Sequence, residues 1–251
     1  MTMVVRLSGG RDSKIENSLL VFKNDRRSYP IRGVPDNVPG VSHRTGPKYW
    51  MDTKVAPQWL EERREIAPLP NGRRKILSLD SCRGHNETPR LLQAQGSINT
   101  EIRHFLKNAT DLIQPCDSFV IQKIKRAWRA RWEEHKMKMI MEENWSEGSG
   151  KVINAGKHFF LRLAVAFVRD VASQRDSDGF TFSRKAMIRT GMALNTNGRW
   201  EESQLFPKPQ SIVRKHRNHF NGEPVIEDEN AASESSGDGS GRSDAIQHRF
   251  Y

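Results

Sequence analysis

A short apolar run ending in an acid, Ile76-Leu77-Ser78-Leu79-Asp80, stands upstream of a long basic helix whose entrance carries a second acid, Asp117. Within residues 118–143, Val120, Ile121, Ile124, Ala127, Trp128 and Trp132 recur at helical spacing and make one apolar face. Asp117 lies four residues before Ile121 and therefore at the head of that face. A carboxylate at a strand end and another at a helix start can converge on one metal site. Each also has a plainer role, Asp80 capping the turn that follows its strand and Asp117 acting as a helix N-cap. On the residues alone both readings stand.

The elements around this pair alternate. Residues 3–7 and 19–22 are short β-branched and apolar runs separated by Ser8-Gly9-Gly10-Arg11-Asp12-Ser13, which predicts a hairpin with Asp12 in its turn. Residues 28–47 hold four prolines and three glycines and read as an extended, turn-rich excursion. Asp52-Thr53 predicts a helix N-cap, with Val55, Trp59 and Leu60 as the buried stripe; Pro57 sits in the first turn, and Pro68 with Pro70-Asn71-Gly72 ends the helix. Residues 74–80 predict a strand without strict alternation, as for one covered on both faces. Asn86 or Thr88 then caps a helix through Leu91 and Leu92 that Gly96 stops, and residues 100–106 form a weaker strand. This order indicates an α/β domain with a mixed sheet flanked by helices. Residues 144–150 read as a Gly/Ser linker, and helical patterns follow at 152–173, 183–195 and 210–220. From 223 onward almost nothing is apolar, which predicts a disordered tail.

Forty-one Lys and Arg against thirty Asp and Glu leave a formal charge of +11, which points to a polyanionic partner, most often nucleic acid. Lys125, Arg126, Arg129 and Arg131 on the long helix are the candidate phosphate contacts, against the plainer reading of a solvated face. Trp128 and Trp132 could stack bases, but their place on the apolar stripe makes them core residues. The longest apolar run, residues 159–168, is too short to span a bilayer, and no extended apolar leader opens the chain. With only Cys82 and Cys116 for cysteines, the expectation is a soluble protein of a reducing intracellular compartment. The two cysteines flank the two acids and raise a Cys/Asp zinc site, which no CxxC or His pair completes.

Two blocks carry a resemblance. Leu79-Asp80-Ser81-Cys82-Arg83-Gly84-His85-Asn86 resembles the "L-D-N-x-x-x-H" block of eukaryotic pogo/Tigger-type transposases and the DDE superfamily endonucleases, with their Jerky and centromere protein B type relatives. Asn108-Ala109-Thr110-Asp111-Leu112-Ile113-Gln114-Pro115-Cys116-Asp117 resembles the family's "L-P-P-N-x-T-x-x-x-Q-P-x-D" block. Tyr29-Pro30-Ile31-Arg32-Gly33, Trp50-Met51-Asp52 and Trp59-Leu60 look like further counterparts in order, so the likeness spans residues 3–220 and is strongest from Asp80 to Trp132.

The resemblance implies an RNase H-like fold in which three acids hold two Mg2+ or Mn2+ ions for cleavage and strand transfer at DNA phosphodiesters. Asp80 matches the second acid, at the end of the fourth strand, and Asp117 the third, at the start of the following helix. His85 matches the histidine of the first block, as a substrate or scaffold contact or as a local hydrogen bond. The family's first acid belongs to a strand preceding residues 3–7; Ser81 and Phe105-Leu106-Lys107-Asn108 depart from its usual residues. The chain therefore reads as an N-terminally truncated copy. The expected layout is an incomplete RNase H-like core over 1–143, a helical extension over 144–222 and a tail over 223–251. The expected function is a DNA-binding, transposase-derived endonuclease domain, inactive as it stands, against a non-catalytic DNA- or protein-binding module. DNA, a second copy or other transposase subunits are the partners implied, with no membrane, in the nucleus.

Overall fold

Leu19 and Val21 point to one face of a strand and Leu20 and Phe22 to the other, and all four are buried, so this strand has to lie between two apolar layers. In the computed structural model, which describes residues 1–35, 37–61, 72–106, 109–144, 148, 151 and 153–221, it is β2 (Ser18–Lys23), the centre of a three-stranded sheet. β1 (Thr2–Val4) pairs with it antiparallel, and a bridge between Leu7 and Ile15 extends the expected hairpin. β3 (Val41–Gly46) pairs with its other edge in parallel.

β3 lies inside the stretch read as a turn-rich excursion. Its sequence VSHRTG has no strand-like hydrophobic pattern, yet all six residues are buried. Two of the polar ones have contacts that compensate their burial: Arg44 donates to the carbonyl of its neighbour His43 at 2.6 Å and covers the distant Tyr29 ring at 4.1 Å, and Thr45 donates to the Ser28 carbonyl at 3.0 Å. A strand buried on hydrogen bonds leaves little periodic signal.

A second sheet pairs β4 (Lys75–Leu79) with β5 (Thr100–His104) in parallel through α2 (Pro89–Ser97), where the expectation was one mixed sheet. Thr88 caps α2, its hydroxyl accepting from Leu91 N at 3.1 Å, while Gly96 lies inside the helix rather than ending it. Ahead of it, Asp52 caps α1 (Val55–Glu61) by accepting from the Lys54 and Val55 amides at 3.0 Å each. One helical layer covers both sheets: Val4, Leu19 and Val21 of the first and Leu77 and Ile102 of the second meet in one cluster with Trp59 and Leu91. β4 is not covered on both faces as expected; Ile76 is 56% exposed.

The opposite face of β1–β3 packs on α4 (Ile121–Met141) and α5 (Gly156–Ser173). Trp128 is 3% exposed and stacks on Phe160 at 5.8 Å, so it is a core residue, and Trp132 packs partly buried beside it. α5, read as part of a helical extension, contributes Leu161, Ala164 and Phe167 to the same core as Met3, Leu20 and Phe22. α3 (Thr110–Ile113) precedes α4, and α6 (Phe182–Arg189), α7 (Pro207–Lys215) and α8 (Arg217–Phe220) complete the helices. Among the described residues no helix is long and apolar enough to cross a membrane. The turn at Pro70-Asn71, the helix end at Pro68, most of the 144–150 linker and the tail from 223 lie outside the described residues.

Candidate functional site

Asp80 follows the last residue of β4, and the chain turns at once through a single 3-10 turn, Arg83–His85. The turn is pressed against the N-terminal side of α1: a Cβ on Gly84 would lie 2.2 Å from the Met51 carbonyl oxygen, so only glycine fits. Ser81 anchors the turn from the other side, its hydroxyl donating to the Phe105 carbonyl at 2.7 Å. This constraint folds His85 back onto the strand end. Its Nδ1 lies 2.8 Å from Asp80 Oδ1, 3.1 Å from the Asp80 carbonyl and 3.2 Å from Cys82 Sγ.

Burial alone would lower the basicity of His85, but the hydrogen bonds to Asp80 and Cys82 and their charges override it and raise the pKa from 6.5 to about 10. Burial likewise raises the Asp80 carboxyl, and the hydrogen bond and charge of His85, with smaller help from Cys82 and His104, bring it below the ordinary carboxylate value. The two shifts agree: at neutral pH the site holds a carboxylate–imidazolium pair in which Nδ1–H donates to Asp80. His85 thus makes a local hydrogen bond with Asp80.

Asp117 sits in a single π-helical turn, Cys116–Val120, that leads into α4, one turn earlier than the regular helix begins. Pro115 holds the N-cap position of that turn, and Asp117 lies in its first turn rather than at the cap. Asp80 and Asp117 border one cavity of about 630 Å3. Cys116 borders the same cavity. Its thiol, 3.6 Å from the Val5 carbonyl, is raised to about 12 by burial and by the negative charges of Asp117 and Asp80. The two acids chosen from the sequence thus share a cavity and an electrostatic field. Asp12 is exposed in the hairpin turn and does not line it.

Among the described residues, the one group of three or more ligand-capable side chains whose donor atoms all lie within 4.8 Å of one another is Asp80, Cys82 and His85. The cysteine that completes such a group with an acid is therefore partnered by His85 rather than by Cys116. The sequence signal for it is the spacing Asp80-x-Cys82-x-x-His85, which contains neither a CxxC nor a His pair.

The phosphate-contact candidates divide. Arg126 and Arg129 are exposed on α4 and Lys125 is half-buried. Arg131 instead donates from Nε to Asp170 Oδ2 at 2.6 Å and clamps α4 to α5.

No curated protein and no solved structure matches the chain. The family model for DDE superfamily endonucleases matches residues 12–175, well over half of the 251 residues and including the strand end at Asp80, the helix start at Asp117 and α5. On that match, the chain belongs to the DDE superfamily endonucleases.

Proposed function

We propose that this chain is the Asp80–Asp117 part of a transposase-type DDE core of the pogo/Tigger kind, RNase H-like in arrangement, which binds DNA and does not cleave it unaided. The observation that carries this is the placement of a strand-end acid and a helix-start acid on one cavity within the stretch matched by the family. DNA is the substrate class, a nuclear location follows from it, and a second copy or other transposase subunits are the protein partners.

Carboxylate oxygens suit a hard divalent cation, Mg2+ or Mn2+, and Asp80 with Asp117 would hold it. Bound there, such an ion would polarise a phosphodiester and activate the attacking oxygen. Two carboxylates supply two negative charges and match one ion; a pair of ions needs a third acid, and among the described residues Asp80 and Asp117 are the acids that line the cavity. His85 in addition holds one oxygen of Asp80, so an ion must compete with an imidazolium for that carboxylate. This favours the second reading for activity, a domain that binds DNA or protein without catalysis. The division we propose is 1–143, 144–222 and a tail from 223, with the second part packed into the core of the first through Leu161, Ala164 and Phe167 of α5.

The chain's own residues do the rest of the work. Arg126 and Arg129, with Lys125 beside them, would track phosphates, while Arg131 holds the helix that presents them. The test is plasmid nicking with Mg2+ or Mn2+, run beside salt-dependent DNA binding. The expected result is binding that weakens steeply with salt and no nicking by the chain alone. Nicking that survives both Asp80→Asn and Asp117→Asn would remove these acids from any catalytic role, and binding indifferent to salt would remove the DNA reading.

A further inference from the structure

The amide of His85 donates to the Cys82 carbonyl at 3.0 Å and closes the turn that follows β4. Side chains three residues apart in such a turn lie on one side of it, so the thiol and the imidazole face the same way. Both meet the carboxylate at the strand end. Nδ1 of His85 is 2.8 Å from Asp80 Oδ1 and 3.2 Å from Cys82 Sγ. Cys82 is 5% and His85 7% exposed, so two of the three donors are shielded from water, and all three border the cavity.

A carboxylate–imidazolium pair needs no thiol, yet a third donor of a different kind converges on the same point. In a tetrahedral Zn2+ site the bonds are about 2.0 Å to nitrogen and oxygen and about 2.3 Å to sulfur, which sets N and O ligands about 3.3 Å apart and N and S about 3.6 Å apart. The observed 2.8 and 3.2 Å fall short of those edges by about half an ångström, within reach of small side-chain rotations. The backbone that carries the donors is already fixed, by Gly84 against the Met51 carbonyl and by Ser81 on the Phe105 carbonyl. Asp117 is outside the group. One thiolate and one imidazole beside a carboxylate select zinc over Mg2+ or Mn2+, which prefer oxygen alone.

We infer that Asp80, Cys82 and His85 form a binding site for Zn2+, with the fourth position facing the cavity and filled by solvent. On binding, the ion bonds to Oδ1, Sγ and Nδ1 and takes the place of two protons, the one between Nδ1 and Asp80 and the one on the thiol; nothing is oxidised or reduced. Zinc here and a hard ion between Asp80 and Asp117 would draw on one shared carboxylate. The inference requires no catalytic role of either acid, and its test contains no DNA.

The full chain, reduced and freed of metal, is titrated with Co2+, which accepts zinc's ligands and geometry and absorbs visible light. The expected result is saturation at about one ion per chain, with the strong visible bands of a tetrahedral ion and a near-ultraviolet sulfur-to-cobalt band. About one equivalent of Zn2+ should abolish both, because zinc has no geometric preference to lose, and about a hundredfold excess of Mg2+ should leave them. Cys82→Ser should remove the near-ultraviolet band, and Cys116→Ser should keep it. Zinc-edge X-ray absorption on the unmutated chain reads the same site whether or not Cys82→Ser folds: it should return one sulfur at about 2.3 Å among lighter ligands at about 2.0 Å. No binding, a zinc ion with no sulfur or with two, or a band that Mg2+ displaces would overturn the proposal. So would a near-ultraviolet band that survives Cys82→Ser or vanishes in Cys116→Ser.

Discussion

The Asp80–His85 pair makes stability depend on pH in a direction that can be worked out beforehand. The folded-state pKa of His85 is about 10 against an ordinary 6.5. At about 1.4 kcal/mol per pKa unit, that difference sets a ceiling of roughly 5 kcal/mol. The actual figure falls below the ceiling because the two groups, five residues apart, still attract each other in the unfolded chain. A raised pKa means that the folded state holds the proton more tightly. The contribution is therefore complete below about pH 6.5 and is lost as pH rises toward about 10, at up to about 1.4 kcal/mol per pH unit. Asp80, shifted down, acts at the other end: its contribution is present above the ordinary carboxylate value of 3.8 and is lost as pH falls through its lower folded value. Both shifts describe one interaction and are not added. His85→Ala should cost about 2–4 kcal/mol near neutral pH, because it leaves a half-buried carboxylate without its counter-charge. Urea unfolding near pH 6, 8 and 9.5 on the wild type and His85→Ala reads this directly. The wild type should lose stability across that range and the variant should lose much less. Parallel pH profiles for the two proteins would refute the imidazolium assignment.

Gly84→Ala should destabilise by about 3 kcal/mol, since its Cβ would meet a main-chain oxygen at 2.2 Å; thermal unfolding measures it, and a variant as stable as the wild type would refute the close approach. The Cys116 thiol, raised to about 12, should react with a maleimide at pH 8 far more slowly than a free cysteine, and faster once urea unfolds the chain. Arg131→Ala should cost less than about 1 kcal/mol, as for a half-exposed ion pair, and leave the salt slope of DNA binding intact; Arg126→Ala and Arg129→Ala should each reduce that slope by about 1. Equal effects of all three on the slope would show that Asp170 does not hold Arg131 back.

Much of this architecture was legible in residue order. The β1–β2 hairpin, the Asp52 and Thr88 caps, the strand ending at Asp80 and the long helix after Asp117 follow from local rules: turn formers, side-chain caps and periodicity. β3 was not legible. Its burial rests on Arg44, Tyr29, Thr45 and Ser28, partners set by tertiary contact rather than by spacing. The α5 helix was visible as a helix, but only packing against Leu20 and Phe22 placed it in the central core.

The site divides in the same way. The amino-acid order by itself determined the two acids, the basic face of the long helix and the likeness that singled them out, because strand ends, helix starts and motif spacing are local properties. Only the tertiary structure decided that His85 folds back to charge-pair with Asp80, that Asp170 takes Arg131, and that β1 and β4 border one cavity instead of pairing. Those outcomes depend on which edges and charges meet when separate segments pack, and neighbouring residues along the chain do not encode that.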